Sequence, residues 1–321
     1  MAVSFLQGKI VRFGFIIFII FPFIASANIL PLDDALRATY TACVGIDDEL
    51  ADLKTMAGIN TAITSVGTAA GIGATVTGLV KADKDKQIEK LEMVRLQKIS
   101  ESNINSGTNN GNMSDNLAAL DTYYQSHKND SYKDIDSEIE KLTKQSKNLG
   151  NWRTGLMAGA TATNVAGAII AGTNKVDGDL KTQIDNCISN VKTLQNSIMQ
   201  ARINGEDVSE AQSIASACGE YEYVDVSKIN NRAKGAMISS TVGAATGLAG
   251  TVTSAMANTD KTRNDNTESG KQKEKNLNTA ANVLAGATTA ASATATVFNA
   301  TQISAIKKVA AVAEKCTGVL K

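Results

Sequence analysis

The sequence predicts an all-α protein: two duplicated antiparallel helical hairpins packed as a four-helix-type bundle, with the first hairpin extended as a charged coiled coil. Three observations predict it. Both prolines, Pro22 and Pro31, precede residue 32, so the remainder lacks the residue that most often punctuates turns and strand ends. The stretches "SVGTAAGIGATVTGL" (65–79) and "TVGAATGLAGTVTSA" (241–255) agree at seven of fifteen positions, and self-similarity of this kind marks a repeated unit. Around the later cysteines, apolar residues step by four and three: Leu180, Ile184, Cys187, Val191, Leu194 and Ile198, then Ile306, Val309, Ala313, Cys316 and Leu320. That spacing is the seam of a packed helix.

Residues 1–27 read as a secretory signal peptide. Lys9 and Arg12 precede "FGFIIFIIF", and "ASA" at Ala25 to Ala27 supplies small residues for cleavage. The chain is therefore expected to be exported, to a periplasm or beyond the cell.

The first unit, 28–205, opens with a short helix ending in "YTACVG" and continues into the uncharged stretch Thr55 to Val80. Asp47, Asp48 and Glu49 fall at a helix start, where carboxylates complement exposed N–H groups. The charged segments "KADKDKQIEKLEMVRLQKISE" and "SYKDIDSEIEKLTKQSKNL" flank a tip loop at about 103–116, marked by its Asn, Gly and Ser content. At ~1.5 Å per residue, an unbroken arm from Asp47 to Glu101 reaches about 80 Å. A second uncharged stretch, Thr154 to Asn174, leads on to Cys187.

The second unit, 206–321, repeats this plan. It runs through "ASACGE", an uncharged stretch from Gly235 to Thr259, the turn "DKTRNDNTESGKQKEK", the stretch Asn276 to Ile306, and Cys316. Between the units, "EYEYVDVS" reads as a short edge strand or an extended link.

On a helical wheel of the first uncharged stretch, Ile59, Ile63, Val66, Ala70, Val76 and Val80 gather on one side. Asn60, Thr61, Thr64, Thr68 and Thr75 gather on the other. A border of small residues, Gly67, Gly71 and Gly78, has its equivalents at Gly243, Gly247 and Ser254, and Gly155 and Gly159 repeat the spacing in the second stretch. The wheel predicts a tightly packed water-soluble bundle, with aliphatic sides packed inward, hydroxyls toward solvent, and the small residues as a helix-packing seam. Length and the Gly-x-x-x-Gly spacing also fit membrane helices. A hydroxyl-and-amide face brings no advantage toward acyl chains. The aromatic belts of bilayer interfaces are missing, with Trp152 the only candidate, so the expectation is the soluble bundle and not constitutive membrane spans.

Four cysteines in an exported chain imply two disulfides, with three connectivities open. Hairpin geometry selects among them: about a turn near Asp265, Cys218 lies 47 residues before and Cys316 lies 51 after. Cys218–Cys316 and, by analogy, Cys43–Cys187 are the expected pairs.

Catalytic, cofactor and metal chemistry finds no foothold. There are 32 basic and 32 acidic residues, one histidine (His127, in a polar segment) and no CxxC. "GIGATVTG" lacks both the lysine and the preceding strand of a phosphate loop. No basic stripe with aromatics suits nucleic acid, and no small-molecule substrate is inferred. The expected function is a non-enzymatic structural or adhesive protein, presenting residues 106–131 to a protein partner or assembling with copies of itself. The alternative is a membrane-active or pore-forming protein that inserts its uncharged hairpins.

Overall fold

Helix α1 (Leu32–Cys43) starts just after Pro31, with Asp33 and Asp34 in its first turn, the charge sign that the N-terminal dipole favours. The computed structural model describes residues 30–105, 133–265 and 267–320, with side chains on the second helix described to residue 100. The expected signal segment 1–27, His127 and the tip loop beyond residue 105 lie outside the described residues. After α1 the chain turns at Gly45, whose φ of +90° is unfavourable for any residue with a Cβ. It then enters α2 (Ile46–Asn105), with Asp47, Asp48 and Glu49 in the first turn. Sixty unbroken residues make a rod of about 90 Å. The rod includes residues 103–105, which the sequence places in the loop.

Helix α3 (Lys133–Thr173) returns along it. Asp177 caps α4 (Gly178–Ile203) by accepting the Leu180 amide at 2.9 Å, satisfying one of the orphan donors of a helix start. Next come α5 (Ser209–Gly219), a 3₁₀ turn at Glu220–Tyr223, α6 (Ser227–Ala257), the one-turn α7 (Asp260–Arg263) and α8 (Glu268–Leu320). The described residues are 92 % helical with no strand. "EYEYVDVS" is thus no edge strand. It is a tight turn whose Tyr221 is fully buried.

Four long helices form the bundle: α2 lies against α3 and α8, and α6 lies against the same two. Neighbours run antiparallel. Along α2 and α3, Gly67 meets Thr163, Gly78 meets Arg153, and Asp85 accepts from Ser146. Along α2 and α8, Asn60 pairs with Asn299 while Gly71 meets Thr289. Past the α6–α7–α8 turn, α2 and α3 continue as a pair tied by Arg95–Asp136 at 3.3 Å.

At the opposite end, α1, α4, α5 and the adjoining ends of α2, α6 and α8 make a base. Its core is ordinary: Ile46, Leu50, Leu180, Ile184, Val191, Leu194, Ile198, Ile214, Ile229 and Ile306 cluster out of solvent. The 3–4 stripes seen in the sequence point inward here, as hydrophobic burial in water requires. Within this core lie the disulfides Cys43–Cys187 and Cys218–Cys316, with Cα separations of 4.8 and 4.5 Å.

Above the base the expected orientation is reversed. Asn60 and Thr64 are fully buried, whereas Ile59, Val66, Val76 and Val80 are exposed and Ile63 is half-buried. The inward row of α2 is Ala57, Asn60, Thr64, Gly67, Gly71, Ala74, Gly78 and Lys81, an unbroken 3–4 heptad row of small and polar residues. The wheel has two such rows, and the one that packs is the one whose small side chains let neighbouring backbones close. Gly155 and Gly159 are a second correction. An added Cβ at either would meet nothing within 4 Å, so both face outward, and the inward row of α3 is Arg153, Met157, Ala160, Asn164, Gly167 and Ala171.

Candidate functional site

The feature that sets this molecule apart is the middle of the bundle, whose inside and outside have exchanged chemistries. Charge-free stretches of the four helices (55–80, 154–174, 235–259 and 276–306) lie side by side. The shortest spans about 30 Å at the α-helical rise.

Its inner face is built in layers. Glycine on one helix leaves a notch, and a threonine or asparagine of the next helix fills it. A Cβ added at Gly67 would lie 2.5 Å from Thr163 Oγ1, at Gly247 2.5 Å from Thr161 Oγ1, and at Gly243 2.8 Å from Asn164. Ser254 is buried in the same row of α6. Buried apolar contact is slight: Met157 packs with Ala74 and Ala285. Hydrogen bonds take the place of an aliphatic core. Asn60 Nδ2 donates to Asn299 Oδ1 at 3.0 Å, and Asn164 Nδ2 donates to Ser292 Oγ at 2.8 Å. Thr246 and Thr288 hydroxyls lie 3.0 Å apart.

At the tip end, the fully buried Arg153 sends three donors to three acceptors. Nε reaches Ser254 Oγ at 2.8 Å, and Nη1 and Nη2 reach Asn282 Oδ1 and Asn278 Oδ1 at 2.9 Å each. One turn further out, Lys81 is held by Asp85 at 2.6 Å and Glu274 at 3.7 Å. Burial lowers the Lys81 ammonium below its usual value against the pull of Asp85, and burial raises the Glu274 carboxyl despite Lys81. These ionised groups are spent on each other, which leaves them a structural clasp.

The outer face carries the aliphatics. Val66, Leu79, Ile169, Leu248, Val283 and Val297 are 59 to 66 % exposed, and with Ile72, Val76, Ile238, Val242 and Val252 they encircle the bundle. A continuous exposed apolar surface marks a site of contact with protein or membrane. Hydroxyls on this face are turned back on their own helices. Thr55, Ser65, Thr241, Thr253, Thr279 and Thr294 each donate to the carbonyl four residues earlier, so the belt presents few free donors outward. Two runs, Leu32–Ser100 and Lys133–Ile203, contain a window apolar enough to cross a membrane, and 28 % of each window is buried. Among the described residues α6 and α8, richer in alanine and threonine, contain no such window.

The seam residues proposed from sequence divide accordingly. Gly67, Gly71, Gly78, Gly243, Gly247 and Ser254 are buried against neighbouring helices, and Gly155 and Gly159 are not. Sequence reasoning missed the polar ladder and its anchor, Arg153. The signal was available, because Asn60 and Thr64 continue the row of Gly67 and Gly71 at steps of four and three. In the base, the sulfurs of Cys43, Cys218 and Cys316 lie within 4.8 Å of one another. Each is in a disulfide, so none offers the thiolate that a metal needs.

No protein-family model matches this chain, and neither a curated protein nor a solved structure matches it.

Proposed function

We propose that the chain is a bilayer-embedded four-helix bundle, a structural and presenting protein with no catalytic step, that holds its disulfide-stapled base on the oxidising side of a membrane and its α2/α3 extension on the other. The inverted belt carries this reading. In water, burial of apolar surface is favourable by about 25 cal/mol per Å², which would turn Val66, Leu79 and Ile169 inward. In lipid that drive vanishes, and helices associate through close packing of small residues and interhelical hydrogen bonds, the two devices that hold the belt together. Its charge-free height of about 30 Å suits the hydrocarbon thickness of a bilayer. Arg153, ionisable at the edge of this zone, faces the bundle interior with its donors paired, as such groups do in membranes. All four cysteines lie in the base, and disulfides persist in oxidising compartments.

The soluble scaffold expected from the sequence is favoured by one observation, the alanine- and threonine-rich character of α6 and α8. In that reading, copies of the chain cover one another's belts in water. Alkaline carbonate extraction of natural membranes, followed by size-exclusion chromatography, separates the two. The bilayer reading expects the chain in the pellet, released only by detergent. Release into the supernatant as a monodisperse oligomer in detergent-free buffer would overturn it and leave the scaffold.

A further inference from the structure

The two rims of the belt carry different electrostatics. On each of the four helices, the first charged residue met at the base end is a lysine: Lys54 on α2, Lys175 just after α3, Lys234 on α6 and Lys307 on α8. They stand at similar heights. Gln302 of α8 donates to the carbonyl of Asn174 at 2.8 Å, the residue before Lys175. Asn230 of α6 exchanges hydrogen bonds with the backbone of Val176 at 2.8 and 3.1 Å. Lys54, Lys234 and Lys307 are exposed and Lys175 is half-buried. Among the described residues, none of the four has a carboxylate within ion-pair distance.

At the tip rim the first charged residues are mixed: Lys81 and Arg153 are buried and partnered, Asp260 past α6 is acidic, and Lys275 on α8 is exposed. Lys81 has Asp85 and Glu274, Lys147 has Asp260 at 2.8 Å, and Lys271 has Glu92 at 2.8 Å. Trp152, 69 % exposed, also stands at this rim.

We infer that the base-end lysines form a collar that recognises the phosphodiesters of anionic phospholipids, so that the leaflet on the base side is enriched in such lipids around the protein. This rests on the bilayer reading above. An unpaired ammonium at the edge of an apolar belt sits at headgroup depth, where its stem lies along the acyl region and its charge reaches the phosphate layer. The four are distributed around the perimeter and do not converge on a point, which suits lipids arranged side by side and not a single free phosphate. Among the described residues the tip rim offers one first-met cation without an ion-pair partner, Lys275, against four at the base.

Electron spin resonance of the full chain reconstituted in phosphatidylcholine tests this, using trace spin-labelled phosphatidylglycerol or phosphatidylcholine to measure the relative association of each lipid with the protein surface. The unaltered chain is expected to select phosphatidylglycerol several-fold. The selectivity falls in steps as K54Q, K175Q, K234Q and K307Q are combined, by at most about fivefold per lysine, and 0.5 M salt weakens it. The matching set of Lys→Arg changes retains it, and K141Q with K144Q, on the α3 extension, leaves it unchanged. Inorganic phosphate at matched ionic strength competes no better than chloride. Equal association of the two lipids, selectivity that survives the fourfold glutamine variant, or specific competition by inorganic phosphate would each overturn the collar while leaving the bilayer reading intact. Absence of a motionally restricted component with either lipid would overturn both.

Discussion

In the base, helix α4 turns Leu180, Ile184, Val191, Leu194 and Ile198 inward; in the belt, helix α6 turns Ala236, Ser240, Gly243, Gly247, Gly250 and Ser254 inward at the same alternation of three and four. The backbone geometry of the two regions is shared, and the chemistry of what is hidden is opposite. The base excludes water with aliphatic side chains and is stapled twice. The belt closes through glycine notches, threonine knobs and asparagine pairs, and shows its valines and leucines to the outside. Heptad spacing therefore says that a helix packs and leaves open which of its faces does so. The surrounding solvent decides whether a small, polar seam is an acceptable interior.

The sharpest way to break this comparison is to remove the staple from one region and follow the other. C43S/C187S opens a connection of 144 residues and should cost about 4–5 kcal/mol on chain-entropy grounds. Hydrogen exchange in detergent should show the base losing protection while the belt amides keep theirs. Loss of both together would mean that the belt has no stability of its own.

A smaller effect compares buried with exposed aliphatics. Leu194→Ala in the base should cost about 3 kcal/mol, within the range for large-to-small core changes, whereas Val66→Ala in the belt should stay within about 0.5 kcal/mol. Denaturation midpoints in one detergent measure both, and equal losses would return Val66 to the inside.

Glycine substitutions sharpen the description of the seam. A methyl at Gly71 would lie 3.1 Å from the Thr289 Cα, so α2 and α8 must part, whereas one at Gly155 would meet nothing within 4 Å. Gly71→Ala is expected to cost about 1–3 kcal/mol and Gly155→Ala to be neutral or stabilising. The reverse order of melting temperatures would show the helices to be further apart than the notches imply.

The smallest effect is a pH dependence at the tip rim. Burial holds the Glu274 carboxyl above its ordinary 4.5. The folded chain therefore binds more protons there than the unfolded one at pH values just above 4.5. This contribution to stability is full below 4.5 and declines as pH rises through the raised value. E274Q should flatten that decline in a melting-temperature series from pH 4 to 7. An unchanged slope would assign it to another group.

Much of the base, and the turn at the opposite end, were legible in the sequence alone. The cysteine stripes, the acidic helix start after Gly45 and the turn near Asp265 follow from local rules of periodicity, capping and hairpin symmetry, and the two disulfide pairings follow from the last of these. The belt was legible in its length and lack of charge and misread in its orientation. Hydropathy ranks Ile59 and Val66 as interior on the assumption that water lies outside. That assumption also set aside Asn60 as a surface residue and left Asn164 and Arg153 unremarked. Gly155 and Gly159 shared the spacing of the seam and lay one face away from it.

By itself the sequence determined that this chain is helical, where its long helices run free of charge, and which cysteines meet. Those properties depend on near neighbours along the chain and on the symmetry of hairpins. Only the tertiary structure decided which face of each rod became the interior. That choice depends on what three other helices present at the same height, because a glycine notch closes on a helix only when a threonine or asparagine stands opposite to fill it.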